Sequence, residues 1–383
     1  MQWGGDEDEW DDASPIERLG LLFEKSVRML GVHRRLPEIF VSERSVLNGQ
    51  TVGRKVAIDD PRTTRQFAQL YSVAALVLDL LTSQKTMSQR DVYYSLKSLF
   101  TTQASSNATI LDLGLILGLK RHEMGIHAGA KGLIAGPLRF RFLPEGEEEE
   151  EEGGERELPP WQDCLAAGAS GSGVRITSHW LSSPERVEAE LPPPSSALPR
   201  PRYLVVIEKE GIFSRLVEDE AYLKLPAILV TACGYPDVAS RACVSRIAEL
   251  YPELTVLGLC DYNSYGLAVL LCYKLPTATM RFEARGLQCP DLHWLGLRTP
   301  HIDKMTALGL DASHLQLATE RDKRQGRALQ RSDKLNQLPD AYGEELEAML
   351  EAGVKVELES FYSLGLEACC DWLIAAVEEE DYL

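Results

Sequence analysis

The chain has 383 residues, enough for two or three domains with separate cores, and its 44% apolar and 26% charged residues are those of a soluble globular protein. No apolar run reaches the roughly 18 residues of a membrane span, the acidic start is not a signal peptide, and eight scattered cysteines without a CxxC pair speak for a reducing compartment rather than a disulfide framework or zinc site. The net charge of −18 lies wholly in residues 1–12 (six acids), 145–157 (nine acids, one arginine) and 378–381 (four acids), while 51–144 is net +6, so nucleic acid is not excluded as a partner.

Residues 1–14 read as a disordered acidic tail. Ile16, Leu19, Phe23, Val27 and Leu30 then mark an amphipathic helix within an extension spanning 15–50, which either packs on its own domain or offers its stripe to a partner. Residues 62–82 predict a strong helix, with Phe67, Leu70, Tyr71, Ala74, Val77, Leu78 and Leu81 on one face. In "RDVYYSLKSLF" (90–100), Ser88 and Asp91 form an N-cap pair, and Val92, Leu96, Leu99 and Phe100 share a face. Tyr93 sits at the edge of that face. Tyr94 points away from it, toward Arg90 at i−4 and Lys97 at i+3. That setting suits a phenol meant to meet a phosphate, although an ordinary helix with one interfacial and one exposed tyrosine gives the same pattern.

A third helix is expected over 107–119, and "HAGAKGLIAGPLRFRF" (127–142) ends in an alternating strand. Three helices followed by a basic hairpin suggest a winged helix over 51–144, a form that binds DNA. Residues 145–200 are low in complexity, first acidic and then rich in Gly, Ser and Pro, and read as an insertion and linker. From 201 the pattern is doubly wound α/β. "YLVVI" (203–207), "AILVTA" (227–232) and "TVLGLC" (255–260) are buried parallel strands separated by helices over 211–224 and 237–251. Glu208 follows the first strand, Asp261 follows the third, and Asn263 lies two residues on. Acids at adjacent strand ends either hold a hard cation such as Mg²⁺ between them, or one caps a helix while the other pairs with Lys209 or an arginine.

With both halves in view the chain resembles the A subunits of topoisomerase VI, together with their eukaryotic relative, the meiotic double-strand-break transesterase, collinearly over about residues 60–373. "RDVYY" resembles the active-site motif, "KGLIAGPLRF" the wing sequence, "VVIEKEGIFSRL" the Toprim glutamate motif, and "LVTACGYPDVASR" the segment after the second Toprim strand. "GLCDYNSYG" resembles the Toprim DxD, "DLHWLGLR" the LGLR stretch and "KVELESFYSLGLE" the C-terminal helix motif.

The resemblance implies a multi-domain α/β protein in which a CAP-like winged-helix domain precedes a Toprim domain spanning 201–383. It implies that Tyr94 attacks a DNA phosphodiester to leave a 5′-phosphotyrosyl link, with Arg90 stabilising the phosphate and Lys97 a weaker candidate for that role. Glu208 and Asp261 take the Mg²⁺ positions, and Asn263 stands where the family has its second Asp. Double-stranded DNA, a homo- or heterodimer of A-type subunits, a nuclear location and a separate topoisomerase VI B-like subunit follow as expectations. The leading reading is a transesterase that starts meiotic recombination. The A subunit of a complete ATP-dependent topoisomerase VI, a catalytically silent DNA-binding subunit (favoured by Asn263) and a phosphatase of another doubly wound fold are the alternatives.

Overall fold

A computed structural model describes residues 13–44, 51–127, 129–144, 158–169, 171–182, 184–275 and 286–383. The acidic runs 1–12 and 145–157 fall outside the described residues. The chain divides into two compact units, 1–129 and 130–383, and no described helix is long and apolar enough to cross a membrane.

In the first unit Ser14 and Glu17 close a capping box on helix Pro15–Gly31, with Pro15 in the first turn. The helix buries Leu19 and Leu22 and lays Phe23 edge-on against Tyr71. Arg18 donates to the Leu117 carbonyl at the C-terminal end of helix Gln103–Leu117 (3.0 Å). The expected stripe is thus rotated by about a residue. Leu22 is buried in it, while Val27 (66% exposed) and Leu30 (51%) face outward. Residues 38–44 and 51–57 form an antiparallel hairpin, Glu38 opposite Ala57, so the expected boundary at 50/51 cuts a single element. Alternation there is weak because Lys55 and Arg54 interrupt it, and Ile39, Val41 and Val56 are the hairpin residues that join the core. Helix Thr64–Thr82 supplies the centre of the core through Phe67, Leu70, Val73, Ala74, Val77 and Leu80.

The Gly-rich segment expected to be a wing hairpin has a different fate. Leu133–Ala135 pairs antiparallel with Leu229–Thr231, and Arg139–Phe142 joins Gln162–Asp163 and Val187–Glu190 in a separate sheet. Its glycines serve close approach rather than a turn. A Cβ at Gly132 would lie 2.9 Å from the Thr231 carbonyl oxygen, and one at Gly136, where φ is +117°, would lie 2.7 Å from that of Ala227. The linker reading is likewise corrected for 158–190. Trp180, Ile176 and Val187 are buried there, and Trp180 packs on Phe140 at 4.9 Å, apolar anchors too sparse to register as a core against the Gly/Ser background.

The second unit is built on a six-stranded mixed sheet in the order His293–Gly296, Thr255–Leu259, Tyr203–Ile207, Ala227–Thr231, Leu133–Ala135, Val174–Arg175. The first four strands are parallel, the last two antiparallel. Continuous apolar strands buried on both faces require helices on both sides. In chain order the parallel strands run 4-3-1-2, so the winding reverses between Tyr203–Ile207 and Thr255–Leu259, the crevice where such sheets bind ligands.

Asp237 ties the antiparallel edge to the next helix. It caps Val238–Leu250 by accepting from the Ser240 amide (2.9 Å) and also accepts from the Lys131 amide (3.2 Å). Asp237→Ala is expected to lower the stability of the second unit by about 1–2 kcal/mol in urea unfolding, and Asp237→Asn by much less, because Asn retains the capping oxygen.

Candidate active site

The two candidate centres belong to different units. The tyrosine lies in the first. Ser88 accepts from the Asp91 amide (3.2 Å) and donates to its carboxylate (2.6 Å), which starts helix Gln89–Ser95 as expected. The helix ends at Ser95, short of the expected Phe100, because Ser95 and Ser98 are poor helix formers and the Leu96 amide turns back to the Val92 and Tyr94 carbonyls. Val92 anchors it in the core, Tyr93 packs partly against the same core, and Tyr94 is 51% exposed. Arg90 and Lys97 lie 5.7 and 5.9 Å from the Tyr94 ring centre on this short turn. Hydrogen bonding from Arg90, then its charge, with a smaller contribution from Lys97, holds the phenol below its ordinary range. An exposed phenol, made more acidic by two cations, is equipped to act as an oxygen nucleophile.

The carboxylates lie in the second unit. The parallel register sets Ile207 beside Leu259, so the residues just beyond meet at the switch point. The Glu208 amide donates to the Leu259 carbonyl (2.9 Å), and the Asp261 amide donates to Glu208 Oε2 (3.0 Å). Asp261 is buried, and its Oδ1 accepts from the Leu358 amide (2.9 Å). Tyr262 and Val356 exchange backbone hydrogen bonds, which stitch the 356–359 segment alongside.

That stitching brings in two acids and a base that the strand pattern did not single out as one cluster. Lys209 Nζ lies 3.3 Å from Asp261, 3.4 Å from Glu357 and 3.2 Å from Glu359. Asp261 thus pairs with Lys209, while Glu208 accepts from the Asp261 amide and caps no helix. The sequence held only a weak signal for the other two, the close spacing of Glu357 and Glu359 where the chain enters the short helix Leu358–Ser363. Asn263 has another task. Its Oδ1 accepts from the Tyr265 and Gly266 amides (both 2.9 Å), capping helix Ser264–Lys274.

Three carboxylates, those of Asp261, Glu357 and Glu359, surround one ammonium, and Glu208 lies against Asp261. Burial, then the Asp261 charge, pushes Glu208 up to about 7, and burial, with Glu359 beside it, pushes Asp261 up to about 6. Burial alone would lower Lys209, but Asp261 and then Glu359 hold it above its ordinary range. An all-oxygen, electron-rich donor set of this kind fits a hard cation better than a soft one. Among the described residues no three His, Cys, Asp or Glu are placed to enclose an ion.

Residues 203–376 match the family model described as the Toprim domain of the topoisomerase 6 A subunits and Spo11, and residues 65–126 match that described as Type IIB DNA topoisomerase. The chain is 31% identical to rice (japonica) meiotic recombination protein SPO11-2 over 323 residues, 83% of this chain and 75% of that protein. It is 27% identical to the A subunit of DNA topoisomerase 6 from Arabidopsis thaliana over 339 residues (86% and 72%), and 26% identical to mouse meiotic recombination protein SPO11 over 313 (81% and 70%).

Two outcomes follow from the geometry. Asn263→Ala should cost about 1 kcal/mol in urea unfolding, whereas Asn263→Asp should leave stability nearly unchanged, since both Asn and Asp accept the cap bonds. The pH outcome has a definite sign. Glu208 and Asp261 bind protons in the folded state that the unfolded chain has already released. Their stabilising contribution is complete below about pH 4 and is lost as pH rises through about 6 to 7. Without divalent cation, Glu208→Gln should flatten the fall in melting temperature across that window, and identical profiles for wild type and variant would refute the assignment.

Proposed function

The chain belongs to the family of topoisomerase VI A subunits and Spo11 proteins, and on that premise we propose that it breaks duplex DNA by transesterification through Tyr94. The observation that carries the reading is the exposed Tyr94 phenol with Arg90 and Lys97 beside it. The Tyr94 oxygen attacks the phosphorus of a backbone phosphodiester. The oxygen–phosphorus bond to tyrosine forms as the bond to the 3′ oxygen breaks. The phenol proton is released, the 3′ oxygen takes up a proton to become a free hydroxyl, and the 5′ side stays on the protein. Arg90 and Lys97 favour the phenolate and attract the phosphate, Arg90 through a guanidinium that matches phosphate geometry.

Glu208 and Asp261 are the residues that would hold Mg²⁺. When bound, the ion supplies positive charge that orients the scissile phosphate and offsets charge developing on it. Asn263, spent on its cap, is left out of that set. Lys209 balances part of the carboxylate charge and can turn toward an entering phosphate.

In the first unit the order long helix, short strand, helix, helix, short strand supports a winged-helix reading. The excess of basic residues over 51–144 supports the same partner. Initiation of meiotic recombination in the nucleus is the role we favour, supported by the names of the rice and mouse relatives. Service as the A subunit of a complete topoisomerase is the second reading, supported by the Arabidopsis relative. Both require a second A-type chain and a separate B-like chain, and the exposed Val27 and Leu30 are our candidate contact for the latter.

Tyr94→Phe is expected to abolish the covalent protein–DNA adduct, scored by denaturing gel after DNA digestion, while duplex binding persists. Tyr93→Phe should retain most of the adduct. Adduct formation by Tyr94→Phe would overturn the assignment.

A further inference from the structure

Helix Glu320–Gln330 carries a charge pattern that the reaction as described does not use. Thr319 and Asp322 close its capping box, and Gly326 and Leu329 are its buried positions. Gly326 lies so close to helix Asp340–Ala352 that a Cβ there would meet Leu350 at 2.6 Å, which fixes which face looks inward. On the opposite side Arg321, Arg324, Arg327 and, just past the helix end, Arg331 are exposed. At about 100° per residue these four fall within roughly a third of the helix circumference.

Their pairing is asymmetric. Arg321 donates to the Tyr265 hydroxyl (2.9 Å), and Lys323 pairs with Glu320 (3.2 Å). Among the described residues no carboxylate lies within 4.0 Å of Arg324, Arg327 or Arg331. Exposed Asp340, Glu344, Glu347 and Glu351 belong to helix Asp340–Ala352, which packs on the opposite, Gly326 side. Among the described residues the three arginines of the stripe thus have no carboxylate partner, they repel each other, and an external anion would relieve that repulsion.

The position of the stripe says which anion. Ser264, three residues beyond Asp261, donates its hydroxyl to the Asp322 carbonyl (2.8 Å), and Tyr265 receives Arg321. The first turn of the arginine helix is therefore bolted to the helix that begins at the carboxylate site. From Arg324 to Arg331 the rise is about 10 Å, the length over which about three phosphates of one DNA strand pass. A row of separate anions at regular spacing fits this row of guanidinium groups better than a single compact ligand does.

We propose that Arg324, Arg327 and Arg331 form a track for the phosphate backbone of duplex DNA flanking the cut. The proposal rests on the reading that DNA is the substrate. It adds a contact to those expected of the basic 51–144 region. The track carries no base-reading geometry, so it positions the duplex without selecting sequence.

The test is fluorescence anisotropy of a short labelled duplex with the full chain over a series of salt concentrations. The triple variant Arg324→Ala/Arg327→Ala/Arg331→Ala should bind at least about tenfold more weakly, with a log–log salt slope shallower by about 2–3. The triple lysine variant at the same positions should keep most of the wild-type slope, because charge and not side-chain shape sets that quantity. All these residues are exposed, so thermal melting should be unchanged in both. A wild-type slope in the alanine variant overturns the track and assigns the stripe to an acidic protein partner. Equal loss in the alanine and lysine variants also overturns it. A wild-type chain that binds no duplex overturns the DNA reading itself, an outcome distinct from the other two.

Discussion

The parallel pairing of Tyr203–Ile207 with Thr255–Leu259 is the constraint on which the second unit depends. Both strands are apolar on both faces, which commits them to the interior, and their register leaves Glu208 and Asp261 side by side at the strand ends. Two carboxylates so placed repel each other and lose water. The fold can hold them because the energy comes from elsewhere, chiefly the apolar strands and the helices that cover them. The Asp261 amide on Glu208 and the Leu358 amide on Asp261 each return a hydrogen bond to a desolvated oxygen. Gly266 belongs to the same arrangement. A Cβ there would lie 2.3 Å from the Asp261 carbonyl oxygen, so only glycine lets the helix start this close to the strand end.

What could be read in advance follows from how local the signals are. The parallel strands were visible because a strand buried on both faces writes itself as an unbroken apolar run, and Ser88 announced the tyrosine helix because capping is decided within four residues. The segment Leu133–Ala135 was not legible as a sheet edge. Gly132 and Gly136 look the same whether they turn a hairpin or let backbones touch, and only the partner strand, about a hundred residues on, decides between them. Trp180 hid in the same way, a buried anchor in a stretch whose composition argues for a linker.

The site divides along the same line. Glu208, Asp261, Tyr94 and Arg90 were named from their positions at strand ends and on one helical turn, where a residue's direction follows from its neighbours in sequence. Glu357 and Glu359 join the first two only through the backbone bonds between Tyr262 and Val356, a contact between segments far apart in the chain. Asn263 shows the converse. A motif suggested an ion ligand, whereas the residue's place at the start of Ser264–Lys274 gives its amide oxygen a helix to cap.

The ammonium of Lys209 has one more consequence. Tethered next to Glu208, it is a resident competitor for any mobile ion, present at an effective concentration that no buffer additive matches. On the proposed reading a divalent cation would have to displace it, and an arriving phosphate would offer the displaced ammonium a new partner. Ion and polymer would then enter as mutually dependent guests, held apart until both arrive by one side chain of the protein.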